Sequence, residues 1–594
     1  MDQQTMEQIT QRADNGRNTA STPAAARMTG AQILWEVLAR EGVEVVFGYP
    51  GGAIMPAYDA LPASSIHHVL VRHEQGAAHM ADGYARASGK VGVCIATSGP
   101  GATNLVTGIA TAMLDSVPLV CITGQVSSTL LGSDAFQEVD ITGITLPITK
   151  HNYLVTRAED LAHTLREAFE VARSGRPGPV LVDITKDAQQ ATVNFRWSDE
   201  PVRLPGVRPP RRLMPGQIER AAGLIDQAKR PVIFCGHGVI RAGASEVLLR
   251  FAEKTGIPVA STLLGLGAFP ASHELSLGMM GMHGEAWVNH AVQESDLLVA
   301  VGMRFDDRVT GNLKNYATAA RKIHLEIDPA EVNKNVRADV ALVGDLRRSL
   351  ERLVPAVAQR EHEDWRARIR ALREDSAARD VQGIPPEGRL RAPHVLHDLW
   401  RLTRGEALVV TDVGQHQMWE AQYYRHERPR SLLTSGGLGT MGFALPAAIG
   451  ARFARPDEEI WVVVGDGGFQ MTACELITCA QEGIKVNVAL INNGYLGMVR
   501  QWQEFFYGGR YVATPLKSPD FVKLVEAHGL TALRVTHREQ VPAAVEAARR
   551  APGTAVVEFC VEGEEAVYPM VPANADLHAM IRRPSRIEES IHES

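Results

Sequence analysis

The sequence predicts an α/β protein made of three doubly wound parallel-sheet domains. Short apolar runs alternate with helix-forming stretches along the whole chain. The two clearest runs, at 461–464 and 486–491, are rich in β-branched residues and lead into Gly465 and Asn492, which is typical of strands buried in a parallel sheet. The length of 594 residues is too great for one hydrophobic core.

A Pro- and Arg-rich stretch at 201–212 and a charged stretch at 361–380 interrupt this rhythm, and we interpret them as linkers. The predicted segments are, in chain order, a disordered leader at 1–27, a first domain at 28–190, a linker at 191–212, a central domain at 213–353, a linker at 354–392, a third domain at 393–581 and a tail at 582–594. Strand candidates in the first two domains are 91–96, 119–123, 180–184, 232–235, 297–301 and 323–327.

The composition is that of an ordinary globular protein, with 45% hydrophobic and 22% charged residues. A net charge of −7 argues against nucleic acid or an anionic membrane as partner, and no apolar run approaches the roughly 20 residues of a membrane span. The cysteines form no CxxC pair, so we predict buried free thiols in a reducing compartment, the cytoplasm. The leader leaves organelle targeting open. The cysteines are Cys94, Cys121, Cys235, Cys474, Cys479 and Cys560.

Two loops in the third domain predict a magnesium site. Gly465-Asp466-Gly467 follows one strand candidate, Asn492-Asn493 follows the next, and the segment between them at 471–481 is compatible with a helix. The whole is therefore one βαβ unit, whose loops lie together at the carboxyl edge of the sheet, where such sheets bind ligands.

The residue types in these loops suit a magnesium ion bound to a diphosphate. Asp466 offers a carboxylate oxygen, Asn493 an amide oxygen, and a loop carbonyl, assigned to Tyr495, a third ligand. Gly467 and Gly468 let the backbone approach phosphate closely. Either loop alone is equally typical of a strand–turn–helix with a capping acid.

Glu74 in the first domain is a second candidate. It follows a short predicted strand at 69–71 and opens an Ala-rich helix that reaches Arg86. Taken alone, it is typical of a first-turn acid that stabilises the helix dipole. A functional role is indicated only by its combination with the third domain.

These motifs together resemble the thiamine-diphosphate-dependent 2-oxoacid enzymes. Further segments are similar to one branch, the catalytic subunits of acetohydroxyacid (acetolactate) synthases of the FAD-containing biosynthetic type, over nearly the whole chain from Met28 to Ile581. The segments that carry the resemblance are 48–52, 124–126, 134–138, 281–284, 304–311, 414–419, 439–443 and 497–502.

The resemblance implies thiamine diphosphate, Mg²⁺ and FAD as cofactors, with FAD outside the net reaction. Family members decarboxylate pyruvate and transfer the hydroxyethyl group to a second pyruvate or to 2-oxobutyrate, in the biosynthesis of valine, leucine and isoleucine. The two halves of the cofactor site come from different subunits in the family, which implies a homodimer or homotetramer. A small regulatory subunit is implied as well.

Residue roles follow from the matching positions. The resemblance assigns catalysis to Glu74, Gln137 and Lys186, and the substrate entrance to Phe136, Gln137, Lys186 and Trp502. It assigns thiamine diphosphate binding to Gly51, Glu74, Val413, Gln415, His416, Gly439, Met441, Gly465, Gly467, Gly468, Met471, Leu496, Met498 and Val499. It assigns flavin binding to Arg176, His283, Arg304, Asp328 and Asp345.

Two positions depart from the family pattern: Ser127 and Thr185 stand where Pro is usual. The residues disfavour four alternatives. A nicotinamide dehydrogenase would rest on the lone GxGxxG at 437–442, without the acidic residue that should follow. Trp502 and Phe136-Gln137 disfavour a pyruvate oxidase or a related decarboxylase, and Glu74 disfavours a glyoxylate carboligase. Intact Glu74, Asp466 and Asn493 disfavour a non-catalytic paralogue.

Overall fold

The computed structural model describes residues 26–204, 206, 214, 216–383 and 390–584. It contains three six-stranded sheets, each parallel throughout, so the predicted fold class is confirmed. The predicted leader up to residue 25, most of the Pro-rich stretch after 204, residues 384–389 and the tail from 585 lie outside the described residues.

The first domain has the strand order β3-β2-β4-β5-β7-β6, and a short antiparallel pair, β1 with β8, lies beside it. β8 falls within the segment predicted as the first linker. The strands are β1 Ala26–Thr29, β2 Val45–Gly48, β3 His67–Leu70, β4 Gly92–Ala96, β5 Leu119–Gln125, β6 His151–Val155, β7 Pro179–Thr185 and β8 Thr192–Phe195. The helices are Gly30–Arg40, Met55–Ala60, Glu74–Ser88, Pro100–Thr103, Val106–Asp115, Ile141–Thr145, Ala158–Arg173 and Lys186–Gln190.

The central domain has the order β11-β10-β9-β12-β13-β14. The helix Glu363–Ala377 lies within the predicted second linker, and its Trp365 and Ile369 pack against this domain. The strands are β9 Pro231–Cys235, β10 Val259–Ser261, β11 Ser276–Met279, β12 Leu297–Val301, β13 Arg321–Glu326 and β14 Val340–Val343. The helices are Gln217–Gln227, His237–Arg241, Ser245–Thr255, Ala286–Glu294, Asp307–Thr310, Leu346–Ala356 and Glu363–Ala377.

The third domain has the order β16-β15-β17-β18-β20-β19. The helix predicted at 471–481 begins earlier, at Asp466, and a 3-10 turn at Ala473–Glu475 divides it. The strands are β15 Leu408–Thr411, β16 Leu432–Thr434, β17 Ile460–Gly465, β18 Asn487–Asn492, β19 Thr531–Val535 and β20 Ala555–Cys560. The helices are Ala392–Thr403, Gln415–Tyr423, Ala444–Ala454, Asp466–Thr472, Leu476–Gln481, Gly497–Phe506, Phe521–Glu526 and Val541–Arg550.

The cysteines are free, as predicted, but not all of them are buried. Cys474 is exposed and Cys560 is half-buried. The prediction was wrong at Cys474 because the 3-10 turn that divides the predicted helix turns this position outward. In the described part of the chain, no helix is long and apolar enough to cross a lipid bilayer.

The first and third domains share one hydrophobic core around the buried helix Glu74–Ser88. The backbone of this helix lies in direct contact with the backbone of the helix Ala444–Ala454. A Cβ at Gly83 would lie 2.0 Å from the carbonyl oxygen of Ala447, and one at Gly450 would lie 1.8 Å from that of Met80. Only glycine permits this approach.

A buried ion cluster ties the same helix to the loop that precedes Gly439. Arg86 pairs with Asp82 and donates to Asp115 at 2.8 Å and to the Thr434 carbonyl at 2.8 Å. Asp115 in turn accepts from the backbone N–H groups of Gly436 and Gly437 at 3.1 and 2.7 Å. All these charges are paired, which keeps their burial tolerable.

We expect Gly450→Ala to lower the free energy of unfolding by about 2–3 kcal/mol, because the added methyl group overlaps the Met80 carbonyl. The matched control is Gly223→Ala in the helix Gln217–Gln227, where no atom lies within 4 Å of the added methyl group. That substitution should be neutral or stabilising by up to about 1 kcal/mol. Urea unfolding followed by circular dichroism measures both variants. Equal losses would contradict the close helix contact.

Candidate active site

Glu74 occupies the predicted strand-to-helix junction as the first residue of Glu74–Ser88, and its side chain is buried. Asn104 donates its Nδ2–H to Glu74 Oε2 at 2.9 Å. Glu74 Oε1 lies over the backbone of Gly101, where an added Cβ would be 3.2 Å away. One carboxyl oxygen is thus held by Asn104, and the other is available to a ligand.

Gly51 and Gln137 lie around the same turn, which follows β4. A Cβ at Gly51 would come within 2.5 Å of the Thr97 side chain, so this close contact requires glycine. Gln137 has a φ of 60° and packs against Gly99. The structure therefore brings Gly51, Glu74 and Gln137 together at the carboxyl edge of the first sheet.

Lys186 and Phe136 lie farther along this edge. Lys186 begins the helix that follows β7, and its neighbour Asp187 accepts from Ser128 N–H at 2.9 Å. Phe136 is 89% exposed, although it is aromatic.

Asp466 lies at the carboxyl end of β17, where the two predicted metal loops meet. Its carboxyl group accepts from Ser518 Oγ at 3.4 Å, and the backbone N–H groups of Gly467 and Gly494 lie near it. Gly494 belongs to the loop after β18. Burial raises the pKa of Asp466 to about 6, while these donors oppose that rise.

Asn493 completes the meeting of the loops. Its Nδ2–H donates to Gln415 Oε1 at 3.3 Å, and its Oδ1 accepts from Tyr495 N–H at 3.1 Å. Among the described residues, no group of three or more His, Cys, Asp or Glu could hold a metal. One carboxylate with amide and carbonyl oxygens is a donor set that fits Mg²⁺, which keeps water and phosphate oxygens as further ligands.

Three glycines of the third domain leave room that side chains would fill. An added Cβ would lie 3.0 Å from the His416 ring at Gly465, 2.9 Å from Leu496 at Gly467 and 2.4 Å from Asp412 at Gly468. The buried His416 Nε2 atom has no hydrogen-bond partner in the described part of the chain, and burial lowers the pKa of His416 to about 3. A neutral imidazole with an unpaired buried nitrogen fits a diphosphate oxygen as its partner.

The cradle is enclosed by other predicted cofactor residues. Met441 approaches Gly467, Met471 approaches Gly442, and Val413 approaches Gly439, which has a φ of 71°. The Gln415 Nε2–H group donates to Gln501 Oε1 at 3.0 Å and to the Glu565 carbonyl at 2.9 Å, which fixes its amide. Met471 and Val499 are 59% and 49% exposed.

A cavity of about 1280 Å³ runs from this cradle into the central domain. It brings predicted diphosphate, flavin and substrate residues into one continuous space. Its lining includes Val413, Gly439, Met441, Met498, Val499 and Trp502, together with Arg176, His283, Arg304 and Asp345.

Contacts within the chain orient the flavin candidates. Arg176 of the first domain pairs with Glu331 at 2.7 Å and with Asp328 at 3.5 Å in the central domain, and Asp328 is absent from the described cavity lining. Asp345 caps the helix Leu346–Ala356. Burial lowers the pKa of His283 to about 4.

Arg241 in the cavity wall has buried Nε and Nη1 groups without a partner among the described residues. Unpaired guanidinium donors in a large cavity fit an anionic dinucleotide such as FAD.

The cavity lining contains only part of the predicted site, and neither Asp466 nor Asn493 is among its described residues. Trp502 lines the cavity, whereas Glu74, Phe136, Gln137 and Lys186 are not among its described lining residues. No hydrogen bond or ion pair within the described ranges joins Glu74 to Asp466 or Asn493.

Comparisons with known proteins agree with this arrangement. Models for the N-terminal TPP binding domain, the central domain and the C-terminal TPP binding domain of thiamine pyrophosphate enzymes match residues 28–144, 218–353 and 412–559. The acetolactate synthase large subunit of Corynebacterium glutamicum is 52% identical over 96% of this chain and 93% of its own length. The probable acetolactate synthase large subunit of Methanocaldococcus jannaschii is 46% identical over 95% and 97%.

The chain belongs to the acetolactate synthase family of thiamine pyrophosphate enzymes. The predicted resemblance is thus confirmed. A plant relative, acetolactate synthase 1, chloroplastic, of Nicotiana tabacum, is 48% identical over 92% of this chain and 83% of its own length. Thiamine diphosphate, which is the same compound as thiamine pyrophosphate, is the cofactor that defines this family.

Sequence reasoning missed Asp412 in this acetolactate synthase family member. Its buried carboxylate accepts from Val413 N–H at 2.9 Å, from Gly442 N–H at 3.0 Å and from Ala444 N–H at 3.1 Å. It thereby joins the loop after β15 to the loop that carries Met441. One signal was present: Asp412 follows its apolar strand as Asp466 follows its own.

We expect Asp412→Asn to weaken thiamine diphosphate binding about 10- to 100-fold, because an amide NH₂ would face backbone N–H donors and leave them unpaired. Quenching of tryptophan fluorescence by the cofactor in excess Mg²⁺ measures the affinity. The control Asp398→Asn removes a buried carboxylate that pairs with Arg538 in the same domain. Similar affinity changes in both variants would contradict a specific role for Asp412.

Proposed function

We propose that this chain is the catalytic subunit of an acetolactate synthase. It decarboxylates pyruvate and transfers the hydroxyethyl group to a second pyruvate or to 2-oxobutyrate. The observation that carries the proposal is that named acetolactate synthases match over nearly the whole chain, which also holds the Glu74 group and the Asp466 loops.

The third domain would hold the diphosphate end of the cofactor. Asp466, Asn493 and the Tyr495 carbonyl would bind Mg²⁺. The unpaired Nε2 of His416 would contact a diphosphate oxygen, which its neutral state allows. Thiamine diphosphate, when bound, supplies the electron sink that lets CO₂ leave.

The first domain would supply the side chain that exchanges a proton with the cofactor. Asn104 holds Glu74 Oε2, so Oε1 would contact the pyrimidine ring and hold or release a proton there. Lys186 would attract the carboxylate of a 2-oxoacid, and Gln137 would donate to its carbonyl oxygen. Trp502 would give a flat apolar wall to the ethyl group of 2-oxobutyrate, since it lines the cavity beside Met498 and Val499.

Arg176, His283, Arg304 and Asp345 would hold FAD, with Asp328 acting through Arg176. The conversion of two pyruvates into 2-acetolactate and CO₂ transfers no net electrons to an acceptor. The flavin would therefore serve as a bound element of the site and not as a redox partner.

A second copy of the chain would complete the site. No described hydrogen bond or ion pair joins Glu74 in one group to Asp466 or Asn493 in the other, and two apolar side chains of the predicted site, Phe136 and Met471, are 89% and 59% exposed. A homodimer that places one group against the other would bury these side chains. A homotetramer would be a pair of such dimers.

The wider setting follows from the family. The products open the biosynthesis of valine, leucine and isoleucine. Two of the relatives are named large subunits, which supports a small regulatory subunit as partner. We assign the chain to the cytoplasm.

The first test is acetolactate formation from pyruvate by the purified chain with thiamine diphosphate, Mg²⁺ and FAD. We expect product from the wild type and a loss of at least about 100-fold with Glu74→Gln, because the amide cannot exchange a proton with the cofactor ring. Acetaldehyde, acetate or peroxide in place of acetolactate would contradict the synthase. If the chain is inactive alone, adding a small subunit distinguishes a missing partner from a non-catalytic paralogue.

The second test is subunit complementation. Glu74→Gln and Asp466→Ala chains, each inactive alone, are unfolded, mixed and refolded together. If each site takes one group from each subunit, mixed dimers contain one intact site, and about a quarter of the wild-type activity returns. No recovery from a mixture that forms dimers would show that both groups act within one chain.

A further inference from the structure

A buried polar chain lies beneath the loop that carries Phe136 and Gln137. Asp183 on β7 accepts from Thr123 Oγ1 at 2.7 Å and from Gln125 Nε2–H at 3.0 Å. The second Nε2–H of Gln125 donates to the Val139 carbonyl at 2.8 Å. Asp183 is 1% exposed and Gln125 is 2% exposed.

Gln125 is fixed at every polar atom. Its Oε1 accepts from Val126 N–H at 2.9 Å, so its side chain has one orientation, and that orientation points an N–H at Val139. β5 and β7 are hydrogen-bonded neighbours, and Thr123 lies directly opposite Asp183 in the parallel register. The rigid sheet therefore determines where the Val139 carbonyl lies.

The loop at 132–139 is organised internally but needs this attachment to the domain. Glu138 accepts from the backbone N–H groups of Gly132 and Ala135. Asp134 and Gln137 have φ values of 57° and 60°, a region that ordinary side chains avoid. Such a conformation persists only where surrounding contacts hold it.

We propose that Gln125, oriented by Asp183, is a positioning residue that sets the place of Phe136 and Gln137 at the substrate entrance. The proposal rests on the proposed function, because the entrance role of this loop is part of it. Neither Gln125 nor Asp183 contacts the substrate; both act through the Val139 carbonyl.

Asp183 need not be ionised to orient Gln125. Burial raises the pKa of Asp183 to about 7, although the hydrogen bonds from Thr123 and Gln125 oppose that rise. A neutral side chain of the same shape should therefore serve. In Asp183→Asn, Oδ1 can accept from Gln125 while Nδ2 donates to the Thr123 hydroxyl.

The kinetic test compares Gln125→Ala, Asp183→Ala and Asp183→Asn in the full chain with all cofactors. We expect the two alanine variants to raise the KM for pyruvate roughly tenfold and to change kcat less than about threefold, since one positioning hydrogen bond is lost. The ratio of 2-aceto-2-hydroxybutyrate to acetolactate formed from mixed substrates should change in the same two variants in which KM rises. Asp183→Asn should stay within about threefold of the wild type, and the double alanine variant should be no worse than either single variant.

The matched control is Asn152→Ala. Asn152 donates its amide N–H to the Thr142 carbonyl, three residues beyond Val139 and inside the helix Ile141–Thr145. This substitution also removes a hydrogen bond from a side-chain amide to a backbone carbonyl, but the carbonyl lies outside the loop at 132–139. Its KM and product ratio should equal those of the wild type, even where its stability falls.

Hydrogen–deuterium exchange gives a readout that does not depend on activity. Gln125→Ala and Asp183→Ala should raise exchange at 132–139, whereas Asn152→Ala should raise it at 142–152. Unchanged KM, product ratio and loop exchange in Gln125→Ala would overturn the proposal, and so would additive losses in the double variant. Should the wild type form no acetolactate, the proposed function fails, and the exchange data still decide whether Gln125 holds the loop.

Discussion

The close crossing of Glu74–Ser88 with Ala444–Ala454 is the constraint on which the site depends. Gly83 and Gly450 bring two backbones into direct contact, and the shared core continues from this contact into both sheets. The same helix begins with Glu74 and ends near Arg86, whose partner Asp115 holds Gly436 and Gly437. One packing contact thus sets the place of Glu74 and of a predicted cofactor loop.

The site contains buried polar side chains, and the backbone forms hydrogen bonds with only some of their atoms. Asp412 uses its whole carboxylate to hold loops together, and it is a structural element of the cradle. His416 Nε2 has no hydrogen-bond partner among the described residues at the same place. This division separates residues that build the cradle from residues that can bind a ligand, because a fully bonded group has nothing left to offer.

Much of this could be predicted from the sequence, because parallel strands leave a local signature. The β17 and β18 strands were evident from their β-branched runs, and the placement of Asp466 and Glu74 at strand ends followed. Asn104, Asp412, Arg241 and the Asp183–Gln125 pair left no comparable pattern. Glu74 and Asn104 are 30 positions apart, and Gln125 and Asp183 are 58 apart, so only the folded sheet joins them.

The fold class and the residue types at the strand ends could be predicted from the sequence, because hydrophobic periodicity and motif spacing are local properties, and the family followed from the resemblance of its segments. Tertiary structure alone decided which polar groups meet, which remain unpaired and which apolar side chains stay exposed. It joined Arg176, His283, Arg304 and Asp345 to Val413, Gly439 and Met441 through one cavity. The physical reason is that burial and hydrogen bonding depend on neighbours in space, which the order of residues does not specify.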